Sequence, residues 1–339
     1  MMARIGVVTS SAVSLRNVAH DIANALRKDG HDVHVFTRLL SVCDAKRMFE
    51  KCIIVTVFSP ISIPPWFMLW RDLNKAGVPS KLYVTVEGIP KQHLIYDWLR
   101  RECRAVANSY FTKSMLEDSG IEVEDVVYHG IDLELVRRAK SLKPPIKRDA
   151  DKVLFGFVAN SQTRKGHDRL AQAIRLARDK VPEAKFYILT EPAAAMHYAG
   201  LDNTHVDTRF GTLPREQVLA LIGSFDFYLS VTLSEGFGLP QLEAQAMGVP
   251  LIYLDYAPLN EVAEPKHNIQ VPYQTVERID VGHGILYTLH LYDPVELVKA
   301  IETACQIRSD KVEYSRIRRA VSAHARKFDS KKLYARLAG

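Results

Sequence analysis

The chain is expected to be an α/β protein of two doubly wound domains, each a parallel sheet with helices on both faces. Two observations predict this. Short apolar runs rich in β-branched residues alternate with amphipathic helical runs, as in a parallel sheet crossed over by helices. The pattern is interrupted once, by the polar, proline-bearing stretch RAKSLKPPIKRDAD (138–151), and then begins again. A length of 339 residues is ample for two separate cores.

In the first series the strand candidates are ARIGVVT, DVHVFT, CIIVTVF, KLYVTVE, CRAVANS and DVVYHG, with helical runs such as NVAHDIANALRKDGH between them. In the second they are KVLFGFV, KFYILT, DFYLSVT and PLIYLD. Apolar content of 47% and charged content of 25% are ordinary globular values. No run approaches the length of a membrane span, and the N-terminus enters a strand–helix pattern without a secretory apolar region. The four cysteines show no CxxC or zinc spacing, so reduced thiols and a cytoplasmic location are expected.

Residues 234–243, S-E-G-F-G-L-P-Q-L-E, carry the most chemistry. They follow an apolar strand-like run and precede a helical pattern in which Pro240 suits the first turn and Gly248 the stop. Gly236 and Gly238 therefore sit in a strand-to-helix turn, where backbone N–H groups at a helix start can meet an anion. Glu235 and Glu243 bracket that turn. An anion cradle flanked by carboxylates suits a ligand with both phosphates and hydroxyls, such as a nucleotide sugar. The bland alternative is that Glu243 only complements the helix dipole and the glycines only reverse the chain.

Further segments stand at strand ends, where ligands sit in open α/β sheets: Glu87-Gly88 after KLYVTVE, and Asn160 to Lys165 after VLFGFV. Together with SEGFGLP these segments resemble the retaining glycosyltransferases of family 4, with their E-x7-E signature and GT-B fold of two facing Rossmann-like domains. The likeness extends in order through Asn108-Ser109 and Lys113, YHGID (128–132), FGFVANSQTRKGHDRL (155–170), Phe210-Gly211, LEAQAMGVP (242–250) and Asn260-Glu261-Val262. It covers about the last two-thirds of the chain. On this reading residues 1–147 form the acceptor-side domain and 148–309 the nucleotide-sugar-binding domain. Residues 310–339 form a basic helix crossing back to the first.

The resemblance implies roles. Lys165, with a second cation, would stabilise the charge that develops on the leaving phosphate. Asn160 stands where the family has an arginine, and Arg164 is the candidate substitute. Glu235, with the N–H groups of Gly236 to Leu239 (Phe237 and Gly238 above all), would hold the transferring sugar. Glu243 would accept from ribose hydroxyls, and Thr212 and Leu213 would approach the base. Glu87 replaces the family's histidine and is a candidate sugar ligand or base, or else a helix-start charge. The glycine-rich loop after the first strand is absent from SSAVSLRN (10–17), which also excludes a dinucleotide-binding G-x-G-x-x-G there.

The expected activity is transfer of a hexose from a UDP-, GDP- or ADP-hexose to a glycan, lipid-linked or small-molecule acceptor, with retention. No metal or other cofactor is expected: metal-ligand spacings are missing and the family generally needs none. The alternatives are a nucleotide-sugar epimerase or phosphorylase on the same fold, or a non-catalytic nucleotide-sugar-binding protein. The net charge of +6 resides entirely in residues 313–339, with eight Lys/Arg against two acids. A solvated basic face is the ordinary explanation, and peripheral contact with an anionic membrane the sharper one. No nucleic-acid motif accompanies these charges. The all-round apolar segment ISIPPWFMLWRDL (61–73) is either buried or meets a partner such as a lipid-linked acceptor.

Overall fold

The computed structural model describes residues 2–143, 145–146 and 149–339. The boundary expected between 147 and 148 falls on residues outside that description. Two compact units are present. The first comprises Met1–Asp132, Arg278–Tyr287 and Phe328–Gly339, and the second Leu133–Glu277 and Thr288–Lys327.

In the first unit, strands β1 (Arg4–Thr9), β2 (Asp32–Phe36), β3 (Lys51–Val57) and β4 (Ser80–Thr85) are followed by a short β5 (Ile89–Pro90), then β6 (Arg104–Ala107) and β7 (Glu122–Val126). Six of them form a sheet in the order β2-β1-β3-β4-β6-β7, parallel throughout. The last strand ends at Val126, so Tyr128, His129 and Gly130 of the expected DVVYHG strand lie beyond it. Helices α1 (Val13–Lys28), α2 (Val42–Met48), α3 (Pro64–Lys75), α4 (Asp97–Glu102) and α5 (Tyr110–Glu117) connect the strands. Ser109 caps α5, its hydroxyl accepting from Thr112 N at 3.0 Å.

The apolar segment at 61–73 is accounted for by α3. Phe67, Leu69 and Leu73 are buried in the core formed with β3 and β4, and Phe67 packs against Trp70 and Trp98 at ring-centroid distances of 5.5 and 5.1 Å. Trp70 Nε1 donates to Ser80 O at 2.8 Å, which satisfies the indole as it enters the core. Burial within the unit, the ordinary explanation, therefore covers most of this segment.

Helix α6 (Leu133–Ser141) opens the second unit. Strands β8 (Val153–Val158), β9 (Ala184–Leu189), β10 (Thr204–Asp207), β11 (Phe227–Ser230), β12 (Leu251–Leu254) and β13 (Ile269–Val271) form its parallel sheet in the order β10-β9-β8-β11-β12-β13. Both β11 and β12 are buried at every position, as expected of parallel strands covered on both faces. Gly156 in β8 is required by packing: a Cβ there would lie 1.9 Å from the Phe225 ring. Helices α7 (His167–Lys180), α8 (Pro192–Ala195), α9 (Arg215–Gly223), α10 (Leu239–Met247), α11 (Leu259–Val262) and α12 (Pro294–Ser309) complete this layer arrangement.

An element absent from the sequence expectation is the pair β14 (Thr275–Asp280) and β15 (Ile285–Leu291), which joins β5 in a three-stranded sheet. Within the first unit, Leu286 pairs with Ile89 and Ile285 with Pro90. Gly88 makes this pairing feasible, because a Cβ there would stand 2.4 Å from Leu286 O.

The expected single basic helix over 310–339 is two helices, α13 (Lys311–Ala325) and α14 (Ser330–Ala338), joined by a 3₁₀ turn. The first belongs to the second unit, and only residues 328–339 belong to the first unit. There α14 packs on α1, and Gly130 N donates to Tyr334 Oη at 2.8 Å. The Y-H-G-I-D segment is thus a seat for α14, with Ile131 N donating to Phe328 O at 2.7 Å. Among the described residues no helix is long and apolar enough to cross a membrane. All four cysteines are unpaired thiols, three of them buried.

Candidate active site in the second unit

In the second unit the strand order reverses between β8 and β11, the position where open parallel sheets present a crevice at their carboxyl ends. The segments that follow these two strands are Ala159 to Gly166 and Val231 to Gly238. They are stitched together by backbone, with Leu233 N donating to Arg164 O at 2.8 Å. Expected site residues far apart in sequence are thereby brought into contact.

Glu235 lies at the centre. Its carboxylate receives Lys165 Nζ at 2.5 Å and Arg164 Nη1 at 3.2 Å. All three side chains are largely enclosed, at 12% exposure for Lys165 and Glu235 and 5% for Arg164. Burial alone would push the Glu235 carboxyl up, but the adjacent Lys165 and Arg164 outweigh it and hold it below the usual carboxylate range. Arg164 is fixed further by donating to Ser234 O at 2.9 Å and Gln162 Oε1 at 3.0 Å. The arginine reaches the cluster, while Asn160 does not act as a cation substitute. Its Oδ1 accepts from Gln162 N at 3.3 Å and its backbone carbonyl accepts from His167 Nε2 at 2.7 Å.

That last bond fixes the tautomer of His167. A carbonyl only accepts, so Nε2 carries the proton and Nδ1 accepts from Tyr198 Oη at 2.9 Å. Burial holds the imidazole below its ordinary pKa, consistent with a neutral ring. Gly166, at φ +68°, makes the turn that starts α7 directly after Lys165.

The S-E-G-F-G-L-P turn closes over this cluster. Gly238 caps α10 at φ +94°, and a Cβ there would lie 2.8 Å from Leu259 Cδ2. Phe237 is 4% exposed and anchors the turn. Leu239 and Pro240 form the first turn of α10. Glu243 lies further along this helix, 8% exposed, where Arg215 donates to its Oε1 through Nη2 at 3.1 Å and Nε at 3.3 Å. Both bonds fall on the same oxygen. Arg215 opens α9, just past Thr212 and Leu213, so the loop expected near the base also carries the partner of Glu243. Thr212 itself is exposed, its hydroxyl donating to Arg209 O at 2.8 Å.

Several supports were not foreseen. Ser161 donates to Glu191 Oε2 from its N at 2.8 Å and its Oγ at 2.5 Å, tying the β8 loop to the residue before α8. His290 stacks on Tyr256 at 3.9 Å between centroids, and its N donates to Leu233 O at 2.8 Å. Arg215 was the most findable of these, as the first cation after the Phe210-Gly211 loop. The others come from loops whose proximity only the sheet order reveals.

Glu87 is the one catalytic candidate in the first unit, half-buried two residues past β4. His129 and Asp132, also in that unit, have structural partners. His129 Nε2 accepts from Asn108 Nδ2 at 3.0 Å and Nδ1 donates to Tyr83 Oη at 2.8 Å, with Tyr83 Oη donating to Val127 O at 2.7 Å. Burial holds His129 down at about 3. Asp132 accepts from Lys28 at 2.9 Å. Among the described residues no group of three or more His, Cys, Asp or Glu is placed to hold a metal ion.

Residues 152–302 match the family described as Glycosyl transferases group 1. Over 98% of its length the chain is 26% identical to 99% of an uncharacterised glycosyltransferase of Sulfolobus islandicus rod-shaped virus 1. Its fold is similar to that of a glycosyltransferase from Rickettsia africae, at a TM-score of 0.72 and 14% identity over 99% of this chain and 96% of that one. It is also similar to Anabaena HepE, solved in complex with UDP and glucose, at a TM-score of 0.67 and 13% identity over 99% and 98% of the two chains. Residues 152–302 are thus similar to the glycosyl transferases group 1 family, within a chain that has the two-domain, Rossmann-like GT-B fold.

Proposed function

We propose that this glycosyltransferase uses a nucleotide-activated hexose and transfers the hexose with retention of anomeric configuration. The observation that carries the proposal is the closure of Arg164 and Lys165 on Glu235 beside the glycine turn that starts α10. Cleavage of a sugar–diphosphate bond places new negative charge on the departing phosphate. Two fixed cations and the start of a helix are suited to receive it.

Before the donor arrives, Glu235 pairs with both cations and offsets one of their two positive charges. The diphosphate competes for them, and the released carboxylate then offers its two coplanar oxygens to vicinal sugar hydroxyls. Glu243, oriented by Arg215, accepts from the ribose hydroxyls. The acceptor hydroxyl attacks on the face the phosphate leaves, and a phosphate oxygen takes its proton. The C–O bond to phosphate breaks, a C–O bond to the acceptor forms, and no protein nucleophile is needed. Charge stabilisation is assigned to side chains, and no metal is given a role in this reading. Glu87 is assigned to the acceptor half of the reaction, as a hydroxyl ligand or base.

UDP-glucose is the first donor to assay, because HepE was solved with UDP and glucose. A thermal-shift panel of nucleoside diphosphates and their sugars identifies the base, since a ligand of the native state raises its stability. Slow release of nucleoside diphosphate without acceptor is the expected activity, and tight binding without turnover would make the protein a sensor instead. Glu243→Ala should weaken nucleotide binding, whereas Glu235→Ala, which frees two cations for the diphosphate, should not. Full activity in both variants would overturn the site.

A further inference from the structure

A second cavity lies at the opposite end of the second unit's sheet. The cluster of Arg164, Lys165 and Glu235 follows the carboxyl ends of β8 and β11. This cavity is lined by Gly223 and Ser224, just before β11 begins, and by Met247 and Gly248, just before β12. Its volume is about 820 Å³, within the range of small-molecule sites. Lys140 of α6, Arg308 of α12, and Lys311, Arg318, Arg319 and Arg326 of α13 and the turn after it supply its charge, and no carboxylate is among the described residues lining it.

These cations are not simply neutralised by the fold. Arg308 is, since its Nε donates to the buried Asp226 at 2.7 Å. Arg318 donates to Gly248 O at 2.9 Å and Arg319 to Ser315 Oγ at 3.0 Å, both uncharged acceptors. Among the described residues, Lys140, Lys311, Arg318, Arg319 and Arg326 make no ion pair. Neighbours on the same helices do: Arg138 meets Glu216 at 3.4 Å and Arg316 meets Glu313 at 2.6 Å. The carboxyl ends of α6, α9, α10, α12 and α13 reach the cavity, but each helix end supplies only about half a negative charge. Five unpaired cations exceed that by roughly two to three charges. Lys140 registers the excess: partial desolvation by the cavity wall, although the side chain still reaches solvent, and then Arg318 and Arg326 hold its ammonium below the ordinary lysine range.

We propose that this cavity is a second ligand site, separate from the donor site, for a small molecule bearing two or more phosphate groups. The cations that line it come from three helices, α6, α12 and α13, and from the turn after α13, rather than from one helix face. The bonds from Arg318 and Arg319 to neutral acceptors hold their guanidinium groups in place while their charge remains for the ligand.

Isothermal titration of the full chain with sodium pyrophosphate at low salt tests this. Two sites are expected, because the diphosphate also meets Lys165. Lys165→Ala should remove one and keep the other. Lys140→Gln with Arg326→Gln should keep the first and weaken the second at least about tenfold. Both substituted side chains are exposed and outside any ion pair, so an unchanged melting temperature verifies folding. Raising the salt should weaken the second site. The source of the phosphate is separated by sedimentation with phosphatidylglycerol–phosphatidylcholine vesicles. Uptake of free pyrophosphate without sedimentation supports a soluble ligand. Sedimentation without pyrophosphate uptake reassigns the cluster to a lipid surface and overturns the proposal. So does a double variant whose titration superimposes on that of the parent.

Discussion

Replacing Glu235 by Gln removes one charge from a cluster in which the carboxylate faces two cations. Gln keeps one acceptor oxygen, so only one of the two bonds, from Lys165 or from Arg164, is retained; the other donor faces the amide NH2, and the negative charge is lost. Removing one partner of a buried ion pair costs about 3–5 kcal/mol, because the other charge stays desolvated. The side chains here are 5–12% exposed, so water relieves some of this and a value of about 3 kcal/mol is expected. For a domain of this size that corresponds to a fall of about 6–12 °C in melting temperature. The same substitution frees both cations for phosphate, so UDP or pyrophosphate should bind at least about tenfold tighter at this site. Added diphosphate should therefore raise the melting temperature of Glu235→Gln by more than it raises the parent's. Transfer should nevertheless fall by about 10–100-fold in kcat/KM, because the charged acceptor for the sugar hydroxyls is gone. Differential scanning fluorimetry, with and without diphosphate, reads the first two effects. A variant that melts with the parent, or binds diphosphate more weakly, would refute the exchange of carboxylate for phosphate.

Three further outcomes follow from named contacts. His129 is held at about 3 in the fold against an ordinary 6.5, so it contributes full stability above pH 6.5 and loses it as pH falls toward 3. Between about pH 7.5 and pH 5 the loss should be about 2 kcal/mol, and urea midpoints of His129→Gln should show a correspondingly flatter pH dependence. Gly238→Ala forces a side chain onto a backbone at φ +94° and against Leu259; a cost of about 1–2 kcal/mol is expected, with a larger proportional rise in donor KM. Equal KM values would mean that the turn does not touch the donor. Arg215→Ala removes both bonds to Glu243 Oε1 and should weaken nucleotide binding by about 1–3 kcal/mol in calorimetry. Unchanged nucleotide affinity would leave Glu243 without its assigned role.

The long buried strands were legible because parallel strands covered on both faces read as continuous apolar runs, as in VLFGFV and FYLSVT. The edge strands were not. Thr204–Asp207 is four residues long and Ile269–Val271 three, so neither offers enough pattern to stand out. Thr275–Asp280 is exposed along most of its length, and its polar sequence reads as a loop. In the site, Glu235, Lys165 and Glu243 were visible because their motifs are local. The contact of Arg164 with Ser234 O and the pairing of Arg215 with Glu243 depend on the sheet order, which brings together loops 70 and 28 residues apart. The six cations of the second cavity were visible only in part. The tail showed its charge, but Lys140 and Arg308 join it from other helices.

The course of the chain has a practical consequence for anyone dividing this protein. Segments 278–287 and 328–339 belong to the first unit although both follow most of the second in sequence. Neither unit is therefore a single stretch of polypeptide. A fragment beginning at Leu133 would carry α14 without α1, baring the faces of Tyr334 and Leu337. It would also carry Ile285 and Leu286 with their pairing edge open to another chain. A fragment ending at Asp132 would lack the helix seated on Gly130 and Ile131. Limited proteolysis between the units should thus yield pieces that aggregate rather than two stable halves, and binding to the second unit is best studied in the intact chain.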